Sequence, residues 1–341
     1  MFGGAALPTP PLLFDFAVRS AITVTAGRIH SRCHLKITNV KATLHRVPVE
    51  VPLLKEPIVT SILFTAVETD AGITGYGLTR GGQRFGMKEF INREAAPFLK
   101  GMNPLETERV WNQLLKQFNP RVQTGMWSSA VSAIDIALWD IKGKHYKEPV
   151  WRLLGGAQNP VQAYVTFGLK QYSQEQLVEV AKQLVKQGEK RLKMVVAVDP
   201  ENPNVDAERF KAVRKAVGDE VELMIDANYL FSFNRALELC KRLEPYHVTW
   251  FEEPVYQNDA LLLADLRRHT SIPIAAGQNE GHRFRHRELI ANHAVDIAQP
   301  NVCSVGGYTE AVKVAALAQA FNLPIANGGG WPHHNMHLQA A

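Results

Sequence analysis

The rhythm of apolar and polar positions changes once along the chain, near residue 160. Before it, Leu35–Glu50 and Ser61–Thr69 alternate with the period of strands, and Asp70-Ala71-Gly72 turns the chain into Ile73–Leu78. Such a run predicts an antiparallel meander. Helical spacing follows at Lys88–Leu99, Leu105–Gln117 and Ser128–His145, where Ile134, Ala137, Leu138 and Ile141 form one buried stripe at i, i+3, i+4 and i+7. Residues 35–157 therefore read as an α+β domain. From 158 onward short apolar strands alternate with amphipathic helices. The strands are Val161–Thr166, Leu192–Ala197, Val221–Ile225, Val248–Phe251, Ile272–Ala276, Val295–Ala298 and Leu323–Ala326, with helices such as Gln174–Lys186, Ala207–Val217 and Thr309–Phe321 between them. That pattern predicts an α/β barrel of the TIM type over 158–341, one strand short of the closed eight. The chain stops inside an apolar run, Met336–Ala341, so the barrel is expected to be incomplete at its C-terminus.

Three polar residues close three successive apolar runs at one interval: Asp226, Glu252 and Gln278 are spaced by 26 residues each. One strand, one helix and their loops fill such an interval, so each group is expected at the C-terminal end of a neighbouring parallel strand, where barrels keep their chemistry. Hard oxygen donors from adjacent strand ends suit Mg²⁺, which favours octahedral oxygen geometry and leaves positions for water and an anionic substrate.

Composition narrows the class. The 341 residues are 46% hydrophobic, enough for a large core. Lys and Arg exceed Asp and Glu by only 38 to 33, without a basic run, which suits a small anionic carboxylate as partner and argues against nucleic acid. Cys33, Cys240 and Cys303 are scattered without a CxxC, so a zinc knuckle or disulfide frame is not expected and a reducing, cytoplasmic setting follows. Residues 1–34 are rich in Ala, Gly and Pro, and their apolar stretch Pro11–Val18 is broken by Asp15 with no basic stretch ahead of it. They read as a disordered or artefactual extension, with neither signal peptide nor membrane span.

The run Ser132-Ala133-Ile134-Asp135-Ile136-Ala137-Leu138-Trp139-Asp140-Ile141-Lys142-Gly143-Lys144, ending in Arg152-Leu153-Leu154-Gly155-Gly156, resembles the enolase superfamily in its mandelate racemase branch. The likeness continues through Trp250-Phe251-Glu252-Glu253-Pro254 and Gln299-Pro300-Asn301 with Gly306-Gly307. It implies an α+β capping domain on a modified (β/α)7β barrel, a habit of homo-oligomerisation, and Mg²⁺ stabilising the enediolate formed when a proton leaves the carbon α to a carboxylate. Asp226 and Glu252 match the first two metal ligands. Gln278 stands where the third is usually Glu; its amide oxygen can coordinate, with one negative charge fewer. Asn228 shares the face of Asp226 by strand alternation and is expected to support it.

The base positions depart from the family. Its Lys-x-Lys pair maps to Lys193 and Val195 by counting from Gly188, or to Arg191 and Lys193 if the register slips by two. The His-Asp dyad on the opposite face maps to Asn301 and to Asn327 or Gly328, so the usual pair is missing. Histidines at His333, His334 and His282 are the remaining base candidates, each with a surface reading beside the functional one, while His337 reads as core or capping. Tyr164, near the end of the first barrel strand, is a candidate donor to substrate or a packing aromatic. By the resemblance, the loops around Leu54–Thr60 and Arg80–Phe85 close over the pocket, and Lys55, Arg80 and Arg84 could hold a distal hydroxyl or carboxylate. Asn228, Asn301 and Asn327 complete the expected substrate contacts. The implied activity is dehydration of an aldonate or aldarate to a 2-keto-3-deoxy acid, with Lys193 neutralising the enediolate. A racemase or epimerase is the alternative enzyme, and a degenerate, non-catalytic binding protein is the alternative to an enzyme.

Overall fold

The structure, a computed structural model, describes residues 35–79, 82–118, 124–158, 160–328 and 332–341; the reading of residues 1–34 and the candidate Arg80 lie outside them. Alternation does what it predicts at the N-terminus. β1 (Ile37–Val49) pairs antiparallel with β2 (Ile58–Thr69), matching Val40 to Val67 and Leu44 to Leu63, and β2 pairs with β3 (Thr74–Thr79). The Asp70 carboxylate accepts from Lys36 N–H at 2.9 Å and ties the second turn to the start of β1. α1 (Arg84–Phe90) runs through a π turn into α2 (Ala96–Leu99), followed by α3 (Thr107–Gln117), α4 (Met126–Tyr146) and the short α5 (Val150–Leu153). The inward stripe of α4 meets Val40, Leu63 and Val67 of the sheet and Ile91, Leu99 and Trp111 of the helices in one core.

The second rhythm folds as β4 (Val165–Phe167), α6 (Gln174–Lys186), β5 (Arg191–Val195), α7 (Pro203–Val217), β6 (Glu222–Asp226), α8 (Phe233–Leu243), β7 (Val248–Glu252), α9 (Ala260–Arg268), β8 (Ile274–Ala276), α10 (His282–Ala291), β9 (Ile297–Ala298), α11 (Tyr308–Ala320) and α12 (Pro332–Gln339). Ser173 opens α6 with a full capping box to Gln176. The strands lie in sequence order, all parallel. Leu192, Met194, Leu223, Ile225 and Phe251 pack outward against the helices. Met224, Trp250 and Ala275 fill the opposite, interior face with Tyr164, Ile297 and Ala326.

Two expectations about the strands need correction. The first barrel strand is confined to Val165–Phe167, so Tyr164 precedes it instead of ending it. The seventh is reduced to one bridge, Ile325 to Ala298. Beyond that bridge, side chains replace the ladder. Tyr164 OH donates to Asn327 O at 2.9 Å, Gln339 Nε2 to Ile325 O at 3.3 Å, and Gln158 reaches the last turn of the chain through Ala340 O and Gln339 O. These contacts cover an edge whose bare carbonyls would otherwise invite pairing.

Leu35–Ala341 form one compact unit, and a polar interlock explains why the two halves do not separate. Ser132 Oγ accepts from Gly306 N (2.8 Å) and Gly307 N (3.1 Å), and Asp135 accepts from Thr309 N (3.0 Å) and Thr309 Oγ1 (2.6 Å). Trp111 Nε1 donates to Gly306 O at 3.0 Å. The N–H groups at the start of α11 are thus capped by side chains of α4 rather than by their own segment.

On α10, His286 is fully buried against Gly277, where a Cβ would stand 2.7 Å from the imidazole Cε1 and where φ of +126° already favours glycine. Burial pushes the His286 pKa down to about 4. The unfolded chain takes up this proton near its ordinary value of 6.5, whereas the folded ring resists until about 4. Stability is therefore expected to be flat above that ordinary value and to fall by roughly 3 kcal/mol as pH drops through the window. Urea unfolding at stepped pH checks this: His286→Phe is expected to lose that part of the acid slope, and an unchanged slope would show that the ring is not the group responsible.

Candidate metal and catalytic site

β5, β6 and β7 end side by side, with Val195 in register with Asp226 and Asp226 with Glu252. Lys193, two residues back on β5, shares the face of Val195. Its Nζ stands 2.9 Å from Asp226 Oδ2 and 2.5 Å from Glu252 Oε1, and none of the three residues is more than 4% exposed. Burial by itself would push the Lys193 pKa down, but the carboxylates of Glu252 and Asp226 outweigh it and hold the ammonium well above its ordinary value. Burial raises the Glu252 carboxyl, against the pull of Lys193.

The remaining carboxylate oxygens are satisfied too. Asp226 Oδ1 accepts from Asn228 N at 2.9 Å, and Glu252 Oε2 accepts from Gln299 Nε2 at 2.8 Å and Trp250 Nε1 at 3.4 Å. Gln278 joins from the loop after β8. Its Nε2 donates to Glu253 Oε2 at 2.6 Å, which leaves Oε1 turned elsewhere. A methyl group on Gly328 would lie 2.9 Å from Gln278 Oε1 and 3.1 Å from Glu252 Oε1, so the missing Cβ leaves open a point that both oxygens face.

These residues fit a magnesium ion. Two carboxylates and an amide oxygen are the hard donors it selects, and an ammonium already lies between the two carboxylates as a cation in their midst. Among the described residues no group of three His, Cys, Asp or Glu side chains is placed to hold a metal by itself.

Other expected site residues fall elsewhere. His333 and His334 line a cavity of about 290 Å³ with Phe64, Tyr76, Leu78, Ile136 and Tyr308, a wall that includes none of Lys193, Asp226 and Glu252. Burial pushes the His334 pKa down to about 3. His282 is buried between Trp111, Trp127 and Phe284, its Nδ1 3.0 Å from Glu310 Oε1. The structure brings none of these three histidines to the carboxylate cluster, because the helices carrying them, α10 and α12, turn those faces toward the α3–α4 side. His337 accepts from Trp151 N at 3.2 Å, a capping contact.

The substrate candidates are held by the protein's own groups. The Asn327 amide donates to Pro300 O and accepts from Gln339, and Asn301 is held by Ser304, Cys303 N and Asn335. Both side chains are spent on loop structure. Tyr164 keeps its ring 5.3 Å from Lys193 Nζ, but its hydroxyl is committed to Asn327 O. Asn228 supports Asp226 by its backbone, not its exposed side chain. The Lys55 loop is anchored on the barrel, with Leu54 against the barrel core and Tyr172 OH donating to Pro52 O. Arg84 lies 5.1 Å over the Phe85 ring at the start of α1. Glu253 and Gln299 stood in the quoted motifs without a role, and Gly328 only as one of two positions for the missing histidine. Gln299 carried a signal, since it continues the inward parity of Ile297.

Residues 34–155 match the mandelate racemase / muconate lactonizing enzyme N-terminal domain, and residues 176–341 match the enolase C-terminal domain-like family. The chain belongs to the mandelate racemase branch of the enolase superfamily. It is 33% identical to arabinonate dehydratase of Saccharolobus solfataricus over 82% of this chain and 76% of that protein. It is 34% identical to D-galactarolactone cycloisomerase of Agrobacterium fabrum over 74% of this chain and 66% of that protein. Among solved structures, L-talarate/galactarate dehydratase of Salmonella typhimurium, liganded with Mg and L-lyxarohydroxamate, superposes with a TM-score of 0.84 at 28% identity, over 93% of this chain and 83% of that one.

Lys193→Met leaves two buried carboxylates without their counter-charge. In metal-free buffer the variant is expected to lose about 3–5 kcal/mol of stability, and added magnesium chloride is expected to restore part of it. Equal denaturation midpoints for variant and wild type in chelator would show that the ammonium is not what balances the pair.

Proposed function

We propose that the chain is a Mg²⁺-dependent lyase that removes the proton α to the carboxylate of a sugar acid and expels the β-hydroxyl as water, so that the enol product settles as a 2-keto-3-deoxy acid. The observation that carries the reading is the Lys193 ammonium lodged between Asp226 and Glu252 at neighbouring strand ends, with the Gln278 amide oxygen beside them. Relatives named as dehydratases of arabinonate, galactonate, xylonate and gluconate support the substrate class, and a neighbour was crystallised with Mg and L-glucarate.

Asp226, Glu252 and Gln278 would hold the cation, which when bound supplies a Lewis acid for the substrate carboxylate and lowers the cost of charge developing on it. Lys193 Nζ keeps a positive charge where that carboxylate must lie, in a site whose burial strengthens the interaction. Lys193 Nζ could serve as the base only where Asp226 and Glu252 turn to a bound cation and no longer hold its proton. Elimination asks for one base and an acid, whereas racemisation asks for a base on each face, and Asn301 and Asn327 stand where the second base and its partner would be.

A second reading, a carboxylate-binding protein without turnover, is favoured by those same asparagines, whose amides are engaged in the hydrogen bonds of their own loops. A panel of aldonic and aldaric acids incubated with magnesium in deuterated buffer separates the two. Under the lyase reading at least one acid exchanges its α proton and yields a 2-keto product, and Lys193→Met abolishes both. Mg²⁺-dependent binding of an acid without exchange would establish the second reading, and no binding of any acid would sink both.

A further inference from the structure

We infer that Glu253 is the positioning residue that makes Gln278 an oxygen donor, because its carboxyl oxygen holds the NH₂ end of the amide one hydrogen bond back from the cation; the inference rests on the metal-site reading above. A glutamine amide has two ends of nearly equal shape. Only its oxygen can ligate a hard cation, and its NH₂ group would repel one. Gln278 is therefore useful at this position only if something fixes which way the amide faces.

Glu253 supplies that constraint. It is completely buried, and its main chain sits at φ +46°, a left-handed conformation that L side chains seldom adopt. Glu253 N donates to Ala275 O and Glu253 O accepts from Tyr229 N, both at 2.9 Å, so the strained turn is clamped between the strand-end loops. The side-chain neighbours act as donors. Gln278 Nε2 approaches Oε2 at 2.6 Å, Asn258 Nδ2 approaches Oε1 at 3.4 Å, and the Tyr229 hydroxyl, itself accepting from Asn279 Nδ2 at 2.6 Å, makes a further hydrogen bond to the carboxyl. An acceptor oxygen held in this way selects the NH₂ end of Gln278. The amide oxygen is left on the side of Gly328 and Glu252. A glutamate at 278 has no NH₂ end and would instead set acceptor oxygens against those of Glu253 at the same short distance. Gln278 and Glu253 are thus a matched amide–carboxylate pair.

Titration calorimetry of the full chain with magnesium chloride tests this in four proteins, each checked for its thermal transition. In Glu253→Gln, amide faces amide, the orientation of Gln278 is no longer dictated, and affinity is expected to fall about tenfold. Gln278→Glu alone sets carboxylate against carboxylate and is expected to bind more weakly than the swapped protein. In the swap, Glu253→Gln with Gln278→Glu, the pair is matched again in reverse, and affinity is expected to return to the wild-type value or better. Wild-type affinity in Glu253→Gln, or a swap that stays as weak as Glu253→Gln, overturns the inference. The metal-site reading fails separately: if wild type binds no Mg²⁺, or if Asp226→Asn binds it as tightly as wild type, the site itself is misplaced and the inference falls with it.

Discussion

A lysine ammonium wedged between two carboxylates at the ends of parallel strands is the constraint around which the barrel is arranged. Removing three charges from water costs several kcal/mol each, and mutual attraction repays this only when geometry and the remaining hydrogen bonds are good. Both conditions hold. Lys193 lies within hydrogen-bonding reach of both acids, and their other oxygens are filled by Asn228 N, Gln299 and Trp250. The strand register has little freedom left, because a slip of one residue on β5 would turn Lys193 into the helical layer and Leu192 or Met194 into the charge.

Around this centre, polar side chains do work that regular structure does not reach. The open side of the sheet is bridged by Tyr164, Gln158 and Gln339, and the loops after β9 are knitted by Asn301, Asn327 and Asn335. Asparagine suits that task because its amide can donate to one backbone group and accept from another. Asn301 and Asn327 thus serve as loop braces.

Much of the fold was legible because its periodicities are clean. β1 and β2 alternate, α4 keeps its stripe, and α6 begins with its capping box and ends at the residues the pattern marks. The equal spacing of Asp226, Glu252 and Gln278 similarly reflects one β/α repeat per residue. Legibility failed where tertiary context outranks local pattern. Nothing local in Val161–Tyr164 says that the strand begins only at Val165. Nothing in the spacing of His282, His333 and His334 says which way α10 and α12 present them. Glu253 was hidden for a sharper reason: strand alternation would send it away from its neighbour Glu252, and only the left-handed turn at Glu253 itself returns its carboxylate to the site.

The interlock of α4 with α11 bears on how the chain can be made. Asp135 and Thr309 are 174 residues apart, yet the aspartate is buried in the finished protein and its partners are the opening turn of α11. While the ribosome is still extending the chain through the barrel, the N-terminal half has a buried-to-be carboxylate and a serine with nothing to receive. That half cannot reach its final state until residue 309 has emerged, and α11 cannot cap its own first turn. The two halves therefore complete each other through contacts between residues far apart in sequence.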